Sequence, residues 1–267
     1  PAGVDISGDR ARPGDRILVC GTIGEAREEH HSMGLPAITR HLCDLSPDQA
    51  LPYAPSAGRV DLRKAWLEEI RQKNPSLGDT PISLPVVTSG ITHGLSTVAD
   101  MFCDEGDLLF VPDQVWGNYK LIFGVRRGAR MVNYPLFGGE GGFDVDGFRG
   151  LTRKHAGAGK LVVLFNFPNN PTGYSITAAE ADALRDILVE AAEQQQCDVV
   201  ALCDDAYFGL FYDETCLKES IFGYLAGLHA NVLAIKLDGA TKEEFVWGFR
   251  VGFLTFGAGG GGDLDAV

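Results

Sequence analysis

Four short stretches hold residues whose types and spacing could do chemistry. Asp204-Asp205-Ala206-Tyr207 follows directly on the apolar run Val199 to Cys203. A carboxylate leaving a buried strand is costly unless it is paired, so Asp204 calls for a cationic partner. Asn166-Phe167-Pro168-Asn169-Asn170-Pro171-Thr172-Gly173 follows the preceding apolar run; it is stiffened by two prolines and offers an amide at Asn170. Thr88-Ser89-Gly90-Ile91-Thr92 joins a strand to a helix start, where free backbone N–H groups and the helix dipole favour an anion. Thr241-Lys242 stands eight residues before Arg250, itself within Gly248-Phe249-Arg250-Val251-Gly252. That places an amine and a guanidinium, the latter suited to bidentate phosphate contact, near one strand end. Taken singly, each has a plain structural explanation. An aspartate at a strand end can cap a helix, Asn-Pro-Thr-Gly is a good turn, and a lone Lys242 is an ordinary surface lysine.

The elements that must position these residues alternate along the chain from about residue 60. Asp61 is expected to cap a helix from Leu62 to about Lys73, ended by Asn74-Pro75. Strands are expected at Leu84–Thr88, Asp107–Val111, Ala129–Tyr134, Leu161–Phe165, Asp198–Cys203, Val232–Leu237 and Arg250–Phe256. Helices are expected from about Thr92 to Cys103, from about Val115 to Val125, and from Thr177, which forms a capping box with Glu180, to about Gln196. Continuous apolar runs such as Leu161 to Phe165 suit strands buried on both faces. The pattern predicts an α/β fold, three layers α/β/α around a mostly parallel central sheet. In such sheets ligands sit beyond the carboxyl ends of the strands, which is where the four stretches fall. The Gly-rich end, 257–267, reads as flexible.

The 267 residues, 45% of them hydrophobic, suffice for a sizeable core. A formal net charge of −13 argues against nucleic acid or anionic membrane as a partner. No apolar run reaches the length of a membrane span. The six cysteines show no CxxC pairing, which suits a reducing, cytoplasmic setting. Glu28-Glu29-His30-His31 reads as a solvated polar patch and no metal site is expected, because metal sites need spaced ligands that converge.

A lysine amine, a carboxylate for a ring nitrogen, donors to a phenolate oxygen, an aromatic face and an anion cradle are together what a pyridoxal 5'-phosphate (PLP) site requires. In order and spacing the stretches resemble the fold-type I PLP enzymes, specifically the class I/II aminotransferases related to aspartate and aromatic aminotransferases. The resemblance runs from about Thr22 to Phe256 and rests on the Asn169-Asn170-Pro171-Thr172-Gly173 loop, the D-x-A-Y of Asp204 to Tyr207, and a lysine eight residues before the arginine of GxRxG. It implies that Lys242 is the Schiff-base lysine, that Asp204 pairs with the pyridine nitrogen, and that Tyr207 and Asn170 contact the phenolate oxygen. Arg250 would bind the phosphate with the backbone of Ile91 and Thr92 after Gly90. Pro112 to Tyr119 looks like the family's P-x-W-x-N-H segment, which would stack Trp116 on the ring and set Tyr119, where a histidine is frequent, behind Asp204. Tyr53 resembles the tyrosine that reaches the phosphate of a neighbouring subunit, which implies a homodimer with shared sites. Ile23 and Gly24 resemble the segment over the substrate, to which Asn170 also contributes.

Lys236 is the rival for the Schiff base, but it lies fourteen residues before Arg250 where the family's spacing is eight. Where the family has a serine contacting phosphate, this chain has Gly239; Thr241 could supply the hydroxyl, or the cradle is one contact poorer. The resemblance further implies an N-terminal segment at 1–60, a PLP-binding large domain at 61–256, and a C-terminal small domain, with the arginine for the substrate's α-carboxylate, that is missing from this stretch. The implied activity is transfer of an amino group between an amino acid and a 2-oxo acid. A lyase or decarboxylase on the same site, and a non-catalytic effector-binding domain, share its residues and stay open.

Overall fold

The structure, a computed structural model, describes residues 25–28, 31–42, 44–139, 141–260 and 264. It separates into two compact units, one ending at Leu45 and one beginning at Ser46. In the first, Arg27–Glu28 pairs antiparallel with His31–Ser32, and Pro36 opens a one-turn helix, Pro36–Thr39.

The second unit is built on a seven-stranded sheet. In chain order its strands are β1 (Val86–Thr88), β2 (Leu108–Pro112), β3 (Arg130–Tyr134), β4 (Lys160–Asn166), β5 (Asp198–Asp204), β6 (Val232–Asp238) and β7 (Gly252–Ala258). They lie side by side as β1-β7-β6-β5-β4-β2-β3. Pairing is parallel from β3 to β6, while β7 runs antiparallel to both β6 and β1. The sheet is therefore mostly parallel, as expected, with an antiparallel edge that apolar patterning does not distinguish. Alternate residues of β4 divide between two cores. Leu161, Val163 and Phe165 pack with Trp66, Ile70, Phe148 and Leu184, whereas Val162 and Leu164 pack with Leu95, Tyr119, Phe123 and Leu237. Helices thus cover both faces, and burying each such side chain contributes about 1.5–3 kcal/mol.

The main helices are α1 (Val60–Lys73), α2 (Ile91–Phe102), α3 (Val145–His155) and α4 (Ala178–Gln195). α1 begins at Val60 and not at Leu62; Asp61 lies inside its first turn, paired with the Arg59 guanidinium at 2.8 Å. There it still favours the helix through the dipole, as Arg71 and Lys73 do in the last turn. α4 carries the expected capping box, with Thr177 N donating to Glu180 Oε2 at 2.7 Å and Glu180 N to Thr177 Oγ1 at 3.2 Å. The helix expected from Val115 starts only at Asn118 and runs as a π-helix over Lys120–Val125.

Two departures concern glycine. α3 has no counterpart in the expected elements, because Gly147 and Gly150 dilute its helical signal; each costs about 1 kcal/mol against alanine. Its cap is Asp144, which accepts from Gly147 N at 2.8 Å. Gly257 belongs to β7 and not to a flexible end: a Cβ there would lie 2.6 Å from the Ala226 Cβ, so the residue serves close packing.

Candidate active site

β1 stops at Thr88, whose Oγ1 donates to Gly90 O at 3.0 Å, and α2 starts at Ile91. Gly90 takes φ 79°, a conformation that suits glycine. A Cβ on Gly90 would meet Arg250 Nη2 at 2.6 Å, so the guanidinium lies directly against this turn. Gly252 closes it from below, since a Cβ there would sit 2.8 Å from Ile91 N. The first N–H groups of a helix have no intrahelical acceptor, so Ile91 and Thr92 present donors beside Arg250. Helix dipole, backbone donors and guanidinium converge at this turn, an arrangement that favours an anion. Arg250 itself is left-handed at φ 54°, and its side chain is otherwise held only by a 3.5 Å contact from Nη1 to Trp247 O among the described residues.

Asp204 ends β5 and is 2% exposed. Tyr119, in the helix after β2, donates its hydroxyl to Asp204 Oδ2 at 2.5 Å, and Ala206 N donates to Oδ1 at 3.0 Å. Burial nonetheless pushes the carboxyl above its ordinary range, against the pull of Tyr119, Ala206 and Lys242. The same burial and the adjoining carboxylate drive the Tyr119 phenol well up, so it stays a donor. Asp204 is a buried carboxylate whose charged form asks for a cation.

Asn166 and Asp204 are in register at the ends of β4 and β5. Asn166 Nδ2 donates to Asp204 O at 2.9 Å, and its Oδ1 accepts from Asn170 N at 2.7 Å. This tie fixes the loop so that Asn170 Nδ2 reaches Tyr207 Oη at 3.4 Å. Asn166 was not among the expected site residues; a buried amide at the end of an apolar strand is the signal that marks it. Trp116 packs edge-on against Tyr119, with ring centroids 5.3 Å apart.

Lys242 lies on α5 (Ala240–Glu243), the single turn after β6, with Nζ 4.5 Å from the Tyr207 ring centroid. Burial lowers its pKa, helped by Arg250 and opposed by Asp204. Lys236 is different: it is 2% exposed and held by Asp205 and by Asp238 at 3.4 Å. Those carboxylates outweigh burial and raise its pKa, so it stays an ammonium with no free lone pair. Gly239 leaves no room for a side chain, since a Cβ would lie 2.6 Å from Val251 O. Thr241 donates its hydroxyl to that same carbonyl at 3.2 Å. Tyr53 is fully exposed. Ile23, Gly24 and His30 lie outside the described residues.

The geometry therefore brings together Gly90, Ile91, Thr92 and Arg250 at one turn, and Asp204, Tyr207, Asn170 and Lys242 as a polar group beside it. The family described as Aminotransferase class I and II matches residues 22–258. The aromatic-amino-acid aminotransferase 2 of Thermococcus litoralis is 27% identical over 206 residues, 76% of this chain and 48% of that protein. The aspartate/prephenate aminotransferase of Thermus thermophilus is 28% identical over 75% of this chain and 47% of its own. Among solved structures, an aminotransferase from Anaerococcus prevotii superposes with a TM-score of 0.78 at 24% identity, covering 86% of this chain and 56% of that one. The chain spans about half the length of the curated relatives it matches.

Proposed function

The chain belongs to the class I and II aminotransferases, and from that premise we propose that it moves an amino group between an amino acid and a 2-oxo acid, with Lys242 as the residue that binds the cofactor covalently. PLP is the cofactor of this family, and the residues present fit it. Asp204 is a buried carboxylate in want of a cation, which a protonated ring nitrogen supplies. Only glycine lets the Arg250 guanidinium sit this close to the turn, since a Cβ on Gly90 would lie 2.6 Å from Nη2, and that sets a bidentate donor beside the first N–H groups of α2, as a phosphate requires. Asn170 Nδ2 and Tyr207 Oη, 3.4 Å apart, would share the phenolate oxygen, and Trp116 would cover the ring. When bound, PLP supplies an electron-accepting ring that makes the Cα proton of an amino acid labile.

The chain's own residues do the rest. Arg250 and the first turn of α2 hold and orient the phosphate. Asp204, kept in place by Tyr119 and Ala206 N, holds a proton on the ring nitrogen. Lys242, its pKa lowered by burial, has a larger neutral fraction and so takes the proton from Cα as a general base and returns it on the other side of the transfer. The observation that carries this reading is the placement of Lys242, its Nζ 4.5 Å from the Tyr207 ring centroid, within electrostatic reach of the buried carboxylate of Asp204. A homodimer with shared sites is part of the proposal, with the exposed Tyr53 as the residue offered to a second copy. Cytoplasmic residence fits the buried free thiols Cys103, Cys197, Cys203 and Cys216 among the described residues. Among the described residues no helix is long and apolar enough to cross a membrane.

The test is a donor screen on the purified protein with PLP and a 2-oxo acid acceptor. Parallel-line (ping-pong) kinetics and 2-oxo acid formation equal to acceptor consumption support the proposal. Ammonia release without any acceptor would point instead to a lyase.

A further inference from the structure

We propose that Lys236, clamped between Asp205 and Asp238, forms with Trp66 and Lys73 of α1 a rear support that positions Lys242 against Asp204. The inference rests on the reading of Lys242 and Asp204 given above. Lys236, Asp205, Asp238, Trp66 and Lys73 act through their neighbours.

The placement is specific. Asp204 and Asp205 are adjacent but turn opposite ways, the first to Tyr119 and the second to Lys236. Lys236 and Asp238 lie two apart on β6 and so share a face. One ammonium thus joins the end of β5 to the end of β6, the two strands that deliver Asp204 and Lys242. Asp205 N also donates to Leu237 O at 2.9 Å, closing the same gap through the backbone. From α1, Trp66 Nε1 donates to Asp238 Oδ1 at 3.1 Å. Seven residues on, along the same face of that helix, Lys73 Nζ meets Glu243 Oε1 at 2.7 Å and Glu69 at 2.8 Å. Asp238 precedes Lys242 by four residues and Glu243 follows it directly, so α1 holds the lysine's turn on both sides.

Fold stability alone does not account for this arrangement. Buried ions cost several kcal/mol each to desolvate, and well-packed apolar residues often serve the fold as well or better. The other inward residues of β6 on this face, Val232 and Ala234, are apolar and fully buried. Charge enters only where the strand approaches Lys242. Around the small cavity lined by Trp66, Ile70, Lys73, Phe208, Lys236 and Glu243, the groups are paired and oriented. An ion pair shared by three elements fixes direction and spacing, which apolar contact does not.

The test replaces the buried charges together, as Lys236→Met with Asp205→Asn and Asp238→Asn, so that no lone ion remains. A second variant, Lys73→Met with Glu243→Gln, lies nearer the surface and addresses the same support if the first fails to fold. PLP is titrated by visible absorbance, and the melting temperature is followed without cofactor. The expected result is a loss of PLP affinity on the order of tenfold, as for a misplaced reacting group, with the melting temperature little changed, while Lys73→Arg alone, which keeps the charge facing Glu243, retains wild-type affinity. A folded triple variant with wild-type affinity and spectrum overturns the proposal. So does an unchanged Lys73→Met, Glu243→Gln variant where the triple variant does not fold. If borohydride reduction of the wild-type protein with PLP leaves no label on Lys242, the functional reading falls and this proposal with it; a labelled wild type beside an unaffected variant overturns this proposal alone.

Discussion

Tyr119 donates its hydroxyl to the buried carboxylate of Asp204 at 2.5 Å. The phenol is fully buried and its pKa is driven well up, so the contact is a neutral donor on a carboxylate. Tyr119→Phe is expected to destabilise the protein by about 1–3 kcal/mol, the cost of a lost hydrogen bond to a charged group. It should also weaken PLP binding, because Asp204 keeps its proton to higher pH and pairs less well with a ring nitrogen. Denaturant unfolding and a PLP titration check the two effects.

Asp204 gives a pH dependence of known sign. Its folded pKa lies above the unfolded value because of burial, so the folded chain holds this proton more tightly than the unfolded one. This group's contribution to stability is therefore largest at low pH and falls as pH rises from the ordinary aspartate range through the raised value. Asp204→Asn removes that slope: without PLP, the variant should gain on the wild type as pH rises through the window and then hold a constant lead. Melting temperatures across pH 3 to 8 (a range of about five units spanning the shift) measure it. The same variant should lose transamination.

Gly239 stands where the resemblance implies a phosphate-contacting serine, and introducing that serine should fail. A Cβ at Gly239 would meet Val251 O at 2.6 Å and Gly252 Cα at 2.9 Å, both backbone. Gly239→Ser is expected to cost about 1–3 kcal/mol through overpacking and to weaken PLP binding by shifting Gly252 against the Gly90 turn. Tighter binding in a stable variant would contradict this packing.

Arg250 is the only guanidinium against the Gly90 turn among the described residues, so it has no substitute there. Arg250→Lys keeps charge but loses the planar fork. PLP affinity should fall about tenfold or more, in keeping with a lost charge-assisted bond of about 1.5–3 kcal/mol, while stability changes little because Arg250 is exposed. Titration of wild type and variant with PLP, then with pyridoxal lacking the phosphate, should show the difference vanish in the second case.

Much of this was legible along the chain because it is local. Apolar runs marked β4, β5 and β6, Thr177 with Glu180 marked the start of α4, and the spacing from Lys242 to Arg250 separated it from Lys236. What was not legible depends on pairing between distant segments. Trp66 and Asp238 are 172 residues apart and meet only through the sheet order. The antiparallel setting of β7 leaves no trace in an apolar run, and Gly257 looks flexible until Ala226 is set beside it. Asn166 looked like the first residue of a turn, but it is the tie between Asp204 and Asn170.

The central claim is that Lys242, and not Lys236, binds the cofactor. Reduction of the PLP-loaded protein with borohydride, followed by peptide mapping, tests it most directly. The account predicts one pyridoxyl adduct, on Lys242, and its disappearance in Lys242→Ala. An adduct on Lys236, or none on either lysine, would contradict it.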